Sequence, residues 1–295
     1  MKPINANKFF VRDASSLSVP GQNEKDIWVD PRTGYEYIAK KAGKNGRTET
    51  MTEYVLNLIG LRMGMRMAEP HLATRGGEFR FMSKKFHGDG DALMHGHEFL
   101  AQFWSKEEIA AVHHNSREER RLYSIANVIA GFEAAYMTEA DKFIRPFVKM
   151  LFFDAAVGCQ DRHPKNWGII CSVKGGHPDR FAPIFDTARG LFWEFSTSQL
   201  KAFTDVASER YTRRSRPPIG DFSGEKVTHF LLAEQIVKRY PGFRPMLGHI
   251  VSVRKEQSVM ALLDSMPQIP KTRRWQLKQC INARFVTLRK LAASN

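Results

Sequence analysis

The sequence predicts an α+β fold in two lobes, a small β-rich one at the N-terminus and a mainly helical one after it. Three observations carry this expectation. Up to Phe86, short strand-like runs alternate with turn chemistry such as Pro31-Arg32-Thr33-Gly34. From Glu107 to Ala135, and again from Gly224 onward, apolar residues recur at helical spacing. Between these regions, Arg145 to Thr187 combines an apolar helix, a polar loop and a hairpin that closes on an acid. At 295 residues the chain is able to bury a sizeable core as one large domain or two lobes. We expect residues 1–86 to form the first lobe and 87–295 the second.

Taken in order, Phe9-Phe10-Val11 reads as a short strand and Asp26 to Asp30 as a second, with a Ser/Gly loop from Ser15 to Lys25 between them. Such a loop is able to bring backbone N–H groups close to phosphates, and a flexible hairpin turn has the same composition. Tyr35 to Lys41 is the return strand. Ile38 and Lys40 share a face, so Lys40 points inward if Lys41 points outward. The alternative is that both are solvated edge-strand lysines. Thr48 to Met65 is a helix, because Met51, Tyr54, Val55, Leu58 and Leu61 recur at three- and four-residue steps. Glu78 to Ser83 is a strand leading into Lys84-Lys85-Phe86, a connecting segment, and His87 to Asp91 reads as a flexible turn.

Further on, Arg117 to Arg121 is a mixed charge run that suits a solvated helical face. Phe147, Met150, Leu151, Phe153 and Val157 make the helix before the polar loop apolar nearly all round, which argues for burial. Trp167 to Val173 and Arg180 to Phe185 read as strands around a Gly-Gly turn. Thr187 to Ser223 has little periodicity and contains the basic run Arg210 to Arg216, either a grip for an acidic substrate or RNA or a disordered surface loop. The last helix, Lys271 to Ala293, shows an apolar stripe of Trp275, Leu277, Cys280, Ile281, Phe285 and Leu288, with Arg273 and Arg284 among the basic residues expected elsewhere.

The loop Asp161-Arg162-His163-Pro164-Lys165-Asn166 carries the chemistry. Phosphoryl transfer needs a carboxylate near the acceptor hydroxyl and oxygen ligands for magnesium beside the phosphates. Asp161 and Asn166 have the catalytic-Asp to metal-Asn spacing of protein kinases, and Asp186 stands after the next hairpin, where a second metal ligand belongs. An isolated D-x-x-x-x-N is more often a capped turn; the buried helix before it and the third acid after it favour transfer chemistry. A strand Lys must also hold the α/β-phosphates, and Lys40 is favoured with Lys41 its rival. The expected architecture is then a bilobal protein-kinase-like fold.

The order Asp-Arg-His-x-x-Asn, within FFDAAVGCQDRHPKNWGII and followed by FAPIFD, resembles the C-terminal signature of the HipA-type kinases and, more distantly, of phosphoinositide-kinase-like enzymes. The likeness is specific at residues 151 to 190 and partial at 16 to 25 and 38 to 54. It implies a phosphate loop of the form Ser-x-x-Gly-x-Gln-x-Lys, matched by Ser18, Gly21 and Lys25; Gln22 stands one place early and Asn23 occupies its position. Ser16 and Ser18 resemble the loop serines that HipT-like members autophosphorylate, and phosphate there would place about two negative charges beside those of ATP. Glu53 resembles the helix acid that steadies the strand Lys, although an exposed first-turn acid reads the same way. Lys84 and Phe86 fall at the link between lobes where adenine would lie, Phe86 packing on the base or in the core. Arg162 and His163 would support the loop or the transferred group.

By the same resemblance the cofactors are ATP and magnesium, and the substrate is a Ser/Thr hydroxyl of a protein such as an aminoacyl-tRNA synthetase. A toxin–antitoxin setting would add a small antitoxin or DNA-binding partner. Larger HipA proteins begin with a further subdomain, and a chain that starts this close to its phosphate loop suits the shorter HipT-like form. The residues themselves leave two other classes open: a lipid or small-molecule kinase with the same loop, and a nucleotide-binding pseudokinase.

A formal charge of +14 implies attraction to something acidic: nucleotide, RNA, anionic lipid or an acidic protein. No apolar run approaches a membrane span, and MKPINANKFFVRD has no apolar signal core. Three widely spaced cysteines, Cys159, Cys171 and Cys280, lack metal-ligand spacing and suit free thiols in a cytoplasmic protein.

Overall fold

The computed structural model describes residues 2–13, 25–43, 46–112 and 116–294. Six strands form the first sheet: β1 (Ile4–Asn5), β2 (Phe10–Asp13), β3 (Lys25–Val29), β4 (Glu36–Lys40), β5 (Pro70–Arg75) and β6 (Glu78–Lys84). Their order is β1-β5-β6-β4-β3-β2, antiparallel except for the β1–β5 pair. The helix α1 (Arg47–Met63) covers one face. Period-two alternation assigns the two faces: Met82 joins Trp28, Tyr37 and Ala39 in a small core on one side, while Phe81 meets Tyr54, Val55 and Ile59 of α1 on the other. Burying a side chain the size of Phe81 contributes about 1.5–3 kcal/mol.

A second sheet of three antiparallel strands, β7 (Asp91–His95), β8 (Gly168–Ser172) and β9 (Arg180–Phe181), lies in the helical part. Here α2 (Gly96–Ala101), α3 (Lys106–Val112), α4 (Ser116–Leu122) and α5 (Ile125–Tyr136) lead to α6 (Asp141–Val157). On α6, Phe147, Met150, Phe152 and Phe153 are fully enclosed, in line with its apolar sequence. The remainder is α7 (Thr197–Lys201), α8 (Asp205–Arg214), α9 (His229–Arg239), α10 (Arg244–Ile250), α11 (Val253–Asp264) and α12 (Lys271–Ala293), the last packing against α6 through α11 by way of its Leu277, Ile281, Phe285 and Leu288 face. Among the described residues no helix is long and apolar enough to cross a membrane.

Several expectations need correction. The return strand after the Gly-Gly turn stops at Phe181, because Pro183 has no N–H for a ladder; Ile184 instead bridges Met67, its N–H donating to the Arg66 carbonyl at 2.7 Å. The basic run from Arg210 lies largely on α8, so it is not a disordered loop. His87 to Asp91 is a turn only as far as Gly90, and Asp91 opens β7. On α12, Trp275 is half exposed, whereas Arg273 and Arg284 are buried.

Candidate active site

Helix α6 delivers the polar loop, and Gly158 releases it. That residue closes the helix at φ 66°, a left-handed conformation that glycine adopts without a Cβ penalty, and an added Cβ would lie 3.1 Å from the Arg284 guanidinium carbon. The Gln160 N–H then donates to the Arg189 carbonyl at 2.8 Å. His163 caps a short 3-10 turn, Pro164–Asn166, its Nδ1 accepting from the Lys165 N–H at 3.2 Å. The Asn166 amide nitrogen donates to the Asp161 carbonyl at 2.7 Å, which leaves the amide oxygen as its acceptor.

Arg162 locks this geometry. It is fully buried, and its guanidinium makes a bidentate pair with Asp154 of α6 at 2.9 and 3.0 Å. The same group donates to the carbonyls of Asn166 and Phe185, each at 2.7 Å. One side chain thereby ties the end of α6, the end of the loop and the residue preceding Asp186. Tyr123 adds a bond from its hydroxyl to the Arg162 carbonyl at 2.8 Å, and Trp167 donates to that hydroxyl at 3.1 Å. Of the two roles expected of Arg162, support of the loop or of the transferred group, its burial behind the loop fits the first and makes it a positioning residue.

Asp186 sits at φ 56°, a conformation in which Asp is tolerated and which clusters at functional sites. Its Oδ1 accepts from Lys40 Nζ at 2.9 Å and its Oδ2 from Lys25 Nζ at 3.3 Å. Lys40 is buried and also pairs with Glu53 of α1. Lys41, its neighbour, is exposed. Burial disfavours the Asp186 charge, but Lys40 and Lys25 outweigh it and hold its carboxyl far below the usual range. Burial likewise opposes the Lys40 charge; Asp186 and Glu53 reverse that, so its pKa rises. Burial pushes Glu53 up and Lys25 down. Asn57 of α1 donates to the buried Thr187 hydroxyl at 2.8 Å and fastens the helix beside Asp186.

Asp161 has weaker company. Its Oδ1 accepts from Arg189 Nη1 at 3.1 Å and lies 4.0 Å from His163 Nε2. Burial raises its pKa, with Arg189 and His163 pulling the other way. Burial also lowers that of His163.

These groups share one cleft. A polar cavity of about 510 Å³ is lined by Lys25, Lys40, Glu53, Asp161, Asn166 and Asp186, with Arg189 and His163 at its wall. A more apolar cavity of about 310 Å³ adjoins it through Lys25, Lys40 and Asp186 and is lined by Ile38, Phe86, Leu93 and Phe185. Phe86 stacks on Phe185 with ring centroids 5.8 Å apart. Hard oxygen donors, the Asp186 carboxylate and the Asn166 amide oxygen, suit magnesium, which takes one or two protein ligands and completes its shell with water and phosphate. Among the described residues no group of three or more His, Cys, Asp and Glu side chains forms a metal cage.

Lys84 departs from expectation. Strand alternation turns its ammonium outward, 3.2 Å from the Tyr35 ring centroid, and Lys85 borders the apolar cavity in its place. Ser16, Ser18 and Gly21 lie outside the described residues. Arg189 and His95 were not anticipated. His95 caps α2 and its Nδ1 meets the Lys165 carbonyl at 2.8 Å; Arg189 belongs to a stretch without periodicity, so no pattern marks it.

The HipA-like C-terminal domain family model matches residues 7–240. Among solved structures, the Helicobacter pylori proinflammatory kinase CtkA superimposes with a TM-score of 0.81 at 16% identity, covering 99% of each chain. HipA of the Shewanella oneidensis toxin–antitoxin system, solved with HipB and operator DNA, gives 0.50 at 11% identity over 94% of this chain and 64% of that one. No curated protein matches. With the family model spanning most of its length and a kinase-like fold around the cleft, the chain belongs to the HipA-like C-terminal domain family.

Proposed function

We propose that the protein transfers the γ-phosphoryl group of ATP, with magnesium, to a Ser/Thr hydroxyl of a protein. The observation that supports this best is the Asp186 carboxylate held by Lys40 and Lys25 in the cleft that also contains Asp161 and Asn166. Adenine would enter the apolar cavity against Phe86 and Phe185, leaving its phosphates toward Lys25 and Lys40. Asp186 and Asn166 would hold magnesium, which would offset the phosphate charge. Asp161 would accept a hydrogen bond from the acceptor hydroxyl, orient it, and take its proton as the oxygen attacks the γ-phosphorus and the bond to the β-phosphate oxygen breaks, releasing ADP. In this structure Arg189 contacts the same carboxylate oxygen, so acceptor and Arg189 share it or exchange there. Lys40, fixed by Glu53, keeps its charge toward the phosphates.

The further reading is regulatory. An aminoacyl-tRNA synthetase as substrate, a small antitoxin or DNA-binding partner and a cytoplasmic setting accord with the toxin–antitoxin context of the HipA neighbour. Autophosphorylation on Ser16 or Ser18 would place charge beside the phosphate site, since Lys25 follows that loop directly.

The test is incubation with γ-labelled ATP and magnesium, together with bacterial lysate or phosphoinositide vesicles. Label on protein Ser/Thr is the expected result, and its loss from the chain's own band in a Ser16→Ala/Ser18→Ala variant would assign the autophosphorylation. Label in lipid would turn the reading to a lipid kinase. Nucleotide binding without label anywhere would leave a pseudokinase.

A further inference from the structure

A third cavity, of about 210 Å³, lies on the other side of α1 from the ion pair. Thr48, Met51, Thr52 and Val55 of α1 line it, one helical face at steps of three and four, while Glu49 and Glu53 on the adjoining face border the cleft. Leu191, Ile269, Pro270 and Leu277 supply the opposite wall, which is largely apolar. Arg47 borders it too, and so does Arg273. Arg273 is 7% exposed, yet its hydrogen bonds go to neutral oxygens: the carbonyls of Phe192 (3.4 Å) and Phe195, and the Thr197 hydroxyl (3.4 Å). A guanidinium has more N–H groups than these contacts use. Among the described residues no carboxylate pairs with it or with the buried Arg284, whereas the buried Arg162 has Asp154. A buried charge without a counter-ion is costly, and burial accordingly lowers the pKa of Arg273.

A second observation points the same way. Arg273 stands in the first turn of α12, a helix of 23 residues whose N-cap is Pro270, with no side-chain cap and no acid in that turn. Its positive end is therefore uncompensated beside the same cavity. Apolar walls bordered by positive charge select an amphipathic anion. An apolar cavity of about 150 Å³ is known to take benzene, so the volume here suits one aromatic ring with a carboxylate.

We propose that this cavity binds a small aromatic carboxylate whose anionic end meets Arg273 and the N-terminus of α12, and that occupancy fixes α1 against the helical part. The regulatory half rests on the kinase reading above, because α1 carries Glu53, the partner of Lys40. The binding half does not.

Calorimetry of the full chain with phenylacetate, benzyl alcohol and benzylamine tests it. Saturable binding of phenylacetate is expected, with the alcohol at least about tenfold weaker, the scale of one charge-assisted hydrogen bond, and the amine weaker still. Arg273→Gln should weaken phenylacetate by a similar factor. As Arg273 also holds two backbone carbonyls, Met51→Trp provides an independent check by filling the cavity from α1, and it should abolish binding in a folded protein. Failure of phenylacetate to bind at millimolar concentration, equal binding of all three compounds, or unchanged binding by Met51→Trp would overturn the site. Saturating phenylacetate should tighten ATP binding, by linkage. Unaltered ATP affinity would overturn the regulatory half, and absence of ATP binding under all conditions would count against the kinase reading and not against the cavity.

Discussion

Asp186 and Asp161 line one cleft, yet the chain treats them differently. Asp186 is flanked by two ammonium groups and held ionised far into acid. Asp161 has one partly exposed guanidinium and a histidine at longer range, and burial moves its pKa upward. Paired titratable groups pushed in opposite directions mark a division of labour. A permanently charged carboxylate suits a cation, and a more basic one suits a proton. The difference can be broken one acid at a time. Asp161→Ala should lower single-turnover transfer by about two to four orders of magnitude, the usual contribution of a positioned base, with nucleotide affinity nearly unchanged. Asp186→Asn should lower transfer and also weaken magnesium-dependent nucleotide binding measured by calorimetry. Equal losses of binding in both variants would erase the distinction.

Behind the two acids, Arg162 is what holds their spacing. Removing one member of a buried ion pair costs about 3–5 kcal/mol, so Arg162→Met should lower the unfolding midpoint in denaturant markedly. Replacing Asp154 by Leu as well should recover much of that stability, since no lone charge then stays buried. Transfer should remain low in the double variant, because the carbonyls of Asn166 and Phe185 have lost their common donor. Full recovery of activity would show that the loop keeps its shape without Arg162.

The acids should also separate by pH. Asp161 must be deprotonated to accept a proton, so transfer rises with pH through its elevated pKa and levels off above it. Arg189 lowers that pKa, hence Arg189→Gln should shift the acid limb of the rate profile to higher pH. Asp186 behaves oppositely. Its folded-state pKa is depressed, so the stability it contributes is fully present above the ordinary carboxylate range and is lost only as pH falls through the depressed value. An acid limb that stays in place in Arg189→Gln would mean that another group titrates.

Much of this site is legible in the chain. The apolar run of α6, the glycine that ends it and the spacing of Asp161, Asn166 and Asp186 are local signals, and strand period two placed Lys40 inward. What escapes is non-local. The buried arginines Arg162, Arg273 and Arg284 look like surface residues, because nothing in a sequence shows which carbonyls will satisfy a guanidinium. Arg284, for example, donates to the Ala155 carbonyl at the end of α6 from 129 positions away. The short strands β1 and β7 were missed for a related reason: they exist through partners far along the chain, Ala73 and Thr74 for β1 and Gly168 to Ser172 for β7.

Lys84 and Lys85 give the smallest effect and the finest test of how strand alternation shapes the cleft. Adjacent residues at the end of a strand point to opposite faces, and here Lys84 lies over Tyr35 on the outside while Lys85 borders the apolar cavity and bonds Glu36 Oε2 at 2.7 Å. Losing an exposed cation–π contact costs about 0.5–1 kcal/mol. Lys84→Ala should therefore lower stability slightly and leave ATP affinity unchanged. Lys85→Ala removes a nearly buried ammonium from the cavity wall and should change ATP affinity measurably, while Glu36 keeps Arg12 as a partner and the fold survives. If Lys84→Ala proves the more damaging to nucleotide binding, the face assigned to the end of β6 is reversed, and with it the wall against which the base is placed.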